Sequence, residues 1–388
     1  MHITALVPRG FMNAPRLRGL AIVFIVAAVI ALAACGSSNR TTICPLTNGC
    51  CPGSTIACRA PQYLYADGIN GQVSGFPVNF NGTLGSPVTV SSPQASLGMA
   101  ALNNSFLYVA NPLSVSTGSI DAWTIDIGTG SLTTVPGSPF ALGPFSLAGG
   151  LVANNIAQVV YVGDAGKIDA LKADATGALS PILGSPFPAG SNIYLAIDSG
   201  DRFLFGSDTT GSGNVYAFTI DSAGALHAAP GSPFPVIPNS TVITNPSQIV
   251  VDSTGSFVYV ALNASNQVAA FSITPATGAL NVVPGSPFAT GRSPFTLATS
   301  GKFLYVSNAM DGTVSGFSIN SSTGILAPLA NFPMSLRAGG MTTDPYGSFL
   351  YVSTPAIMTF SIDANTGALT EIGTPVPFGG ATVLTYVQ

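Results

Sequence analysis

Charge is scarce in this chain: Asp, Glu, Lys and Arg together make up 7% of its 388 residues. Of the 11 basic side chains, Arg9, Arg16 and Arg18 lie near the start, so that beyond Cys35 eight Lys and Arg face 15 Asp and Glu. A surface with that balance has nothing to attract a phosphate backbone, which excludes nucleic acid as a partner. Histidine is rarer still, with His227 alone beyond the opening residues, and glutamate occurs once, as Glu371. The imidazole–carboxylate pair that many acid–base catalysts use is therefore nearly out of reach. No Gly-x-Ser-x-Gly turn is accompanied by a usable histidine, which argues against a serine hydrolase. All five cysteines fall at or before Cys58, and the long apolar run from Leu20 to Ala34 also lies at the start.

What is present begins with that run. Arg16 and Arg18 precede it, and it ends in Leu32-Ala33-Ala34-Cys35-Gly36. A basic start, an apolar centre and small residues at the cut are the pattern of a secretory signal, and about 15 apolar residues are short for a membrane span of roughly 20. Met12 begins a more ordinary signal than Met1. The cysteine directly after Leu-Ala-Ala resembles the lipobox of bacterial lipoproteins. That resemblance implies cleavage before Cys35 and a diacylglyceryl group on it, tying an exported chain to a membrane through lipid. Gly36, where an acidic residue would retain the protein at the inner membrane, points to the outer membrane or the cell surface. The expected division is a signal peptide over 1–34, a tether over 35–60 and a folded domain over 61–388. The tether carries Cys44, Cys50, Cys51 and Cys58. In an exported chain such a group forms two disulfides, and adjacent cysteines rarely pair. That leaves Cys44–Cys50 with Cys51–Cys58, or Cys44–Cys51 with Cys50–Cys58. Zinc is disfavoured, since the tether has neither a Cys-x-x-Cys pair nor a histidine.

From Pro61 onward the chain is one unit repeated. In the copy GKFLYVSNAMDGTVSGFSINSSTG, from Gly301 to Gly324, two strand-length apolar runs flank a polar loop and end in a turn. Seven copies are marked by a central aromatic: Tyr65, Tyr108, Tyr161, Phe205, Tyr259, Tyr305 and Tyr351. Their spacing of 43 to 54 residues is that of a four-stranded propeller blade. A large apolar residue recurs in the second run (Phe76, Trp123, Leu171, Phe218, Phe271, Phe317, Phe360), each preceded by a small one from Gly75 to Thr359. A turn glycine follows in every copy, suited to positive φ, and a leucine two residues later. An all-β, seven-bladed propeller of four-stranded antiparallel blades is therefore expected. The first copy has no inner strand of its own, whereas the segment Ala381 to Val387 is a strand with no copy after it. The C-terminal strand should complete the first blade and so remove two sheet edges. The recurring Gly-Ser-Pro-Phe, as in Gly137 to Phe140 and Gly285 to Phe288, reads as a stop signal ending the outer strand, with phenylalanine tucked between blades.

The stretches FLYVSNAMDGTVSGFSI and TGALxxxPGSPF resemble the seven-bladed propellers of the lactonase, or 6-phosphogluconolactonase-like, family and its YVTN-repeat relatives. The resemblance covers Pro61 to Gln388, implies that fold, and implies lactone hydrolysis as an activity. Such lactonases carry Pro-Arg-His entering an inner strand and Asn-Glu after a FLYV-type strand. Here the corresponding stretches read Pro294-Phe295-Thr296, Pro246-Ser247-Gln248, Asn308-Ala309 and Asn111-Pro112, so no catalytic residue carries over. His227 and Glu371 fall in outer strands, away from a central funnel. Asp164, Asp208 and Asp311 lie in loops after FLYV strands, and Arg292 and Arg337 in crossovers between blades. These loops share one rim, where a ligand would be held. Two readings follow. The first is a lipid-anchored, non-catalytic binding or scaffolding module, monomeric, whose partner is an envelope protein, a glycan or a small molecule. The second is a lactone hydrolase using rim aspartates. Neither needs a cofactor or a metal.

Overall fold

The computed structural model describes residues 61–387 apart from 69–70, 93–95, 97, 115–116, 143–149, 165, 192, 211–212, 335–338 and 379–380. The signal, the tether and its cysteines, and Arg337 lie outside the described residues. Seven antiparallel sheets are formed, each with an innermost, a second, a third and an outer strand. Blade 1 takes its innermost strand from Ala381–Val387, which pairs with Tyr63–Gly68 in the register Tyr63 opposite Val387 and Tyr65 opposite Thr385. Blades 2 to 7 start from Gly98–Leu102, Gly150–Asn154, Ile193–Ile197, Pro246–Val251, Pro294–Ser300 and Met341–Thr343. The seven-bladed fold with C-terminal closure is as the repeats predict.

The repeat columns acquire their reasons from the register. The small residue of the third strand stands opposite the central aromatic of the second: Gly75 opposite Tyr65, Ala122 opposite Tyr108, Ala170 opposite Tyr161. Side chains opposite each other share a face, so the small residue makes room for a ring. On the other face the large apolar column packs, as with Phe76 opposite Leu64. Each central ring is fully buried, removing about 150–250 Å² from water, or roughly 4–6 kcal/mol at most. One apolar cluster fills each of the seven joints between blades.

The turn glycines belong to the same joints. The phenol of each blade donates to the turn-glycine carbonyl of the next: Tyr65 to Gly130 (2.9 Å), Tyr108 to Gly177 (2.9 Å), Tyr161 to Gly224 (2.7 Å). Tyr259 reaches Gly324 (3.0 Å), Tyr305 reaches Gly367 (2.9 Å), and Tyr351 closes the circle on Gly82 (3.1 Å). Only Phe205 lacks the hydroxyl. At Gly130 the backbone has φ +70°, and a Cβ would stand 2.3 Å from the ring of Tyr63. Glycine is required there twice over, for its dihedral angle and for its missing side chain.

The Gly-Ser-Pro-Phe segment differs from its reading as a stop signal. The outer strand pauses there and resumes at the phenylalanine: both Leu132–Thr134 and Phe140–Ala141 pair with the third strand of blade 2. The serine fills the gap, its hydroxyl accepting a third-strand N–H: Ser138 from Ala122, Ser185 from Ala170, Ser232 from Ala217, Ser286 from Ala270, all at 2.9–3.0 Å. Proline thus sits where the ladder is already interrupted, which is why it is tolerated. The four phenylalanines do lie between blades, half-buried against the joint clusters.

Candidate functional site

The innermost strands stand side by side in the order of the blades, and that of blade 7 meets that of blade 1. They enclose a channel of about 1020 Å³. Its wall draws one buried apolar side chain from each blade: Met99, Leu151, Leu195, Ile249, Leu297, Met341 and Leu384. A further cavity of about 710 Å³ shares Met99, Leu151 and Leu384 and adds Asn103, Asn104 and Asn155 of the hairpin tips, so it lies at the other mouth. Gly98 and Gly150 let inner strands of neighbouring blades approach closely; a Cβ on Gly150 would lie 2.5 Å from the backbone nitrogen of Leu195.

Among the described residues, no Asp, Glu, His, Lys or Arg lines either cavity. Polarity in the larger one comes from Tyr194, Gln248 and several threonines. Of the positions where lactonases carry arginine and histidine, those holding Phe295, Thr296 and Gln248 line the channel, whereas Ser247 is buried with its hydroxyl on the carbonyls of Pro294 and Phe295. Gln248 Oε1 accepts the N–H of Leu297 at 2.6 Å, bridging blades 5 and 6. Thr296 shares a 2.8 Å hydrogen bond with Ser307. The Tyr194 phenol is pushed above its ordinary pKa by burial, so it remains a proton donor across neutral pH. It is the channel's one ionisable side chain among the described residues.

Of the rim aspartates singled out from the sequence, Asp164 and Asp208 end their second strands rather than lying in the loops beyond, and only Asp311 is in a loop. Asp164 is buried and pairs with Lys167 (3.2 Å), which also reaches Asp169 (2.9 Å). Asp208 Oδ1 accepts the backbone N–H and the hydroxyl of Thr210 (3.0 and 2.7 Å). Asp311 accepts both the N–H and the Nε–H of Arg292 (2.7 and 2.6 Å), which holds its carboxyl below the usual range. Of the four that lie among the described residues, only Asp311 and Arg292 are brought together. His227 and Glu371 lie in outer strands, as expected, and His227 meets Asp221 at 3.1 Å.

A polar group that the sequence did not announce lies at the joint of blades 1 and 2. Asp67 accepts the N–H of Ser96 at 2.5 Å, and Asp121 accepts from Asn111 Nδ2 (2.7 Å) and from the Ser92 hydroxyl (3.4 Å). Burial pushes the Asp67 carboxyl up to about 6, with the charge of Asp121 adding to it, and burial raises Asp121 as well. These residues come from three separate stretches, and only strand register shows that they meet.

Comparison with known proteins agrees with this architecture. The family described as "Lactonase, 7-bladed beta-propeller" matches residues 289–386. No curated protein sequence matches the chain. Among solved structures, the periplasmic gluconolactonase of Pseudomonas aeruginosa has a TM-score of 0.71 at 16% identity, over 84% of this chain and 99% of that one. A Bacteroides uniformis protein, provisionally described as a 6-phosphogluconolactonase, gives 0.72 at 16% identity, over 85% and 100%. A Lactobacillus plantarum protein gives 0.67 at 20%, over 84% and 99%. Identities this low establish a common fold rather than a common chemistry. The chain is a seven-bladed β-propeller that resembles the lactonase family and is related in fold to gluconolactonase-like proteins.

Proposed function

We propose that the protein is an exported, lactonase-type propeller that takes an uncharged lactone into its central channel and opens it there. The observation that carries the substrate class is the lining: apolar side chains, one phenol, amides and hydroxyls, with no ionic group among the described residues. A neutral ring ester suits that wall, because burying a charge without a partner is costly. A phosphorylated sugar lactone does not, since among the described residues neither arginine nor lysine faces the channel to hold it. Tyr194 is the group suited to polarise an ester carbonyl by donating its phenolic proton. Reading the activity as lactone opening rests on the fold relatives, which favour it over a scaffold.

Binding without turnover is the second reading, favoured because no imidazole or carboxylate among the described residues faces the channel to activate water. The purified chain is incubated with neutral γ- and δ-lactones and with phosphorylated sugar lactones. Acid release is followed in a pH-stat and binding by calorimetry. Neutral lactones should be opened and Tyr194→Phe should lower that rate at least about tenfold. Saturable binding with no acid release would leave the second reading standing, and inertness toward every lactone would sink both.

The envelope location is part of the same proposal, supported by the export signal and by the periplasmic setting of the Pseudomonas relative. Anchoring through Cys35 predicts that Cys35→Ala releases the chain from the membrane fraction and abolishes labelling by radioactive palmitate.

A further inference from the structure

We propose that the joint between blades 1 and 2 binds a small hard cation of the calcium class through Asp67, Asn111, Ser119 and Asp121. Alternation along the strands decides which side chains meet. Asp67 shares a face with Tyr63 and Tyr65, which pack into one cluster with Val109 and Trp123 of blade 2. Ser119 and Asp121 alternate with Trp123 on the opposing face, and Asn111 stands opposite Ser119 in the register. All four side chains are shut away from solvent, at 0% exposure for Asp67 and Asn111, 2% for Ser119 and 5% for Asp121.

Blade 3 shows what the same positions do with a built-in cation. There Asp164 stands opposite Lys167, and Asp169 opposite Val162, matching Asn111 opposite Ser119 and Asp121 opposite Val109 in blade 2. The Lys167 ammonium reaches both carboxylates, at 3.2 and 2.9 Å. Blade 2 has the neutral Ser119 in the lysine's position, and blade 1 supplies a second carboxyl, Asp67, where blade 2 offers the next joint only Ala110. Negative charge therefore accumulates at this joint while the cationic side chain is lost. No Lys or Arg pairs with Asp121 among the described residues.

A second, independent feature points to a ligand. Asn111 Oδ1 and Ser119 Oγ are buried and have no hydrogen-bond partner among the described residues. The amide of Asn111 is turned into the cluster by its 2.7 Å bond to Asp121, so its oxygen remains there without a donor. Buried polar atoms left in that state are rare and costly. A cation satisfies them where a donor is missing. Among the described residues no three His, Cys, Asp or Glu side chains converge; this group relies instead on an amide and a hydroxyl beside two carboxylates. Such an all-oxygen set suits calcium, which accepts irregular coordination completed by water, and has no nitrogen or sulfur for softer metals. Two carboxylates balance one divalent charge.

Trp123, the chain's single tryptophan, lies two residues from Asp121 on the same face, about 7 Å along the strand. It can therefore sensitise terbium bound in the joint. The full chain in detergent is stripped with chelator and titrated with terbium, then with calcium. Tryptophan-sensitised emission should saturate at about one ion per chain and be displaced by calcium. Asp121→Asn should weaken the ion at least about tenfold. Ser119→Lys, which brings a covalent cation as Lys167 does, should fold and give no emission. Absence of calcium-displaceable emission up to about 10 mM calcium overturns the proposal. So does wild-type affinity in a folded Asp121→Asn chain or, should that variant not fold, wild-type emission in Ser119→Lys.

Discussion

The joints between blades and the crossover corners beside them are made from the same chain positions repeated around the ring, yet they have drifted very differently. At the joints six of seven aromatics donate to the next blade's glycine. At the corners blade 3 has Asp164, Lys167 and Asp169. Blade 6 has Asn308 donating to Thr313 and Ser315 at 2.9 and 2.8 Å, and blade 2 has Asn111, Ser119 and Asp121. A joint couples two repeat positions in different blades, so changing one residue leaves its partner wrong. A corner needs only to satisfy its own charges and hydrogen bonds, and several residue sets achieve that. Uniformity therefore marks what holds the ring, and divergence marks where individual chemistry has room to arise.

Three tests bear on that division, beginning with the largest effect. Removing residues 381–387 strips blade 1 of its innermost strand and exposes the edge of Tyr63–Gly68. Tyr386 then no longer bonds Gln62 (2.8 Å), nor Thr385 the carbonyl of Met99 (2.9 Å). Loss of a single cooperative transition in circular-dichroism melts is expected, with onset well below that of the intact chain. A melt like the parent's would show that the ring does not depend on its closure.

A corner should cost less when broken. Lys167→Met leaves Asp164, whose side chain is 1% exposed, and Asp169 facing each other without their shared ammonium. Breaking a fully buried pair costs about 3–5 kcal/mol; the partly exposed lysine lowers this to about 2 kcal/mol. Urea unfolding at neutral pH measures it. The corner account further requires that adding Asp169→Asn to Lys167→Met recover about half the loss. Failure of the second change to restore anything would mean that the lysine acts by packing alone.

Much of this fold could be read from the chain because the joints are pairwise and recur: the aromatic, the small residue, the glycine and the leucine each appear at fixed offsets. Two features were less accessible. The Gly-Ser-Pro-Phe segment reads as an ending because proline cannot donate to a ladder, whereas the preceding serine hydroxyl stands in for a strand carbonyl by accepting the N–H of Ala122, and pairing resumes at Phe140. The hairpins between innermost and second strands depend on Asp198, Asp252 and Asp344. Each gathers two backbone N–H groups on Oδ1, as Asp252 does from Ser256 and Phe257 at 2.8 and 2.7 Å. Their spacing before the second-strand aromatic recurs in the sequence. The channel lining and the blade 1–blade 2 corner were out of reach for a different reason. Asp67 and Asp121 are 54 positions apart in the chain, and nothing short of strand register and blade order places them at one joint.

The smallest effect concerns the one joint that departs from its column. Phe205 keeps the ring but not the hydroxyl, and Phe203 still stacks on Gly278, where a Cβ would lie 2.7 Å from its ring. Stacking thus persists without the latch, so the hydrogen bond adds to a joint that the rings already define. Phe205→Tyr should place a phenol toward the Gly278 carbonyl, as Tyr259 does for Gly324 at 3.0 Å, and stabilise the protein by about 1 kcal/mol. Tyr259→Phe, the reverse change one joint along, should cost about 1–2 kcal/mol because it strands a buried carbonyl. The urea midpoint should move in opposite directions in the two variants. Equal losses in both would mean that Phe205 is retained for packing and that the fourth joint follows a rule of its own.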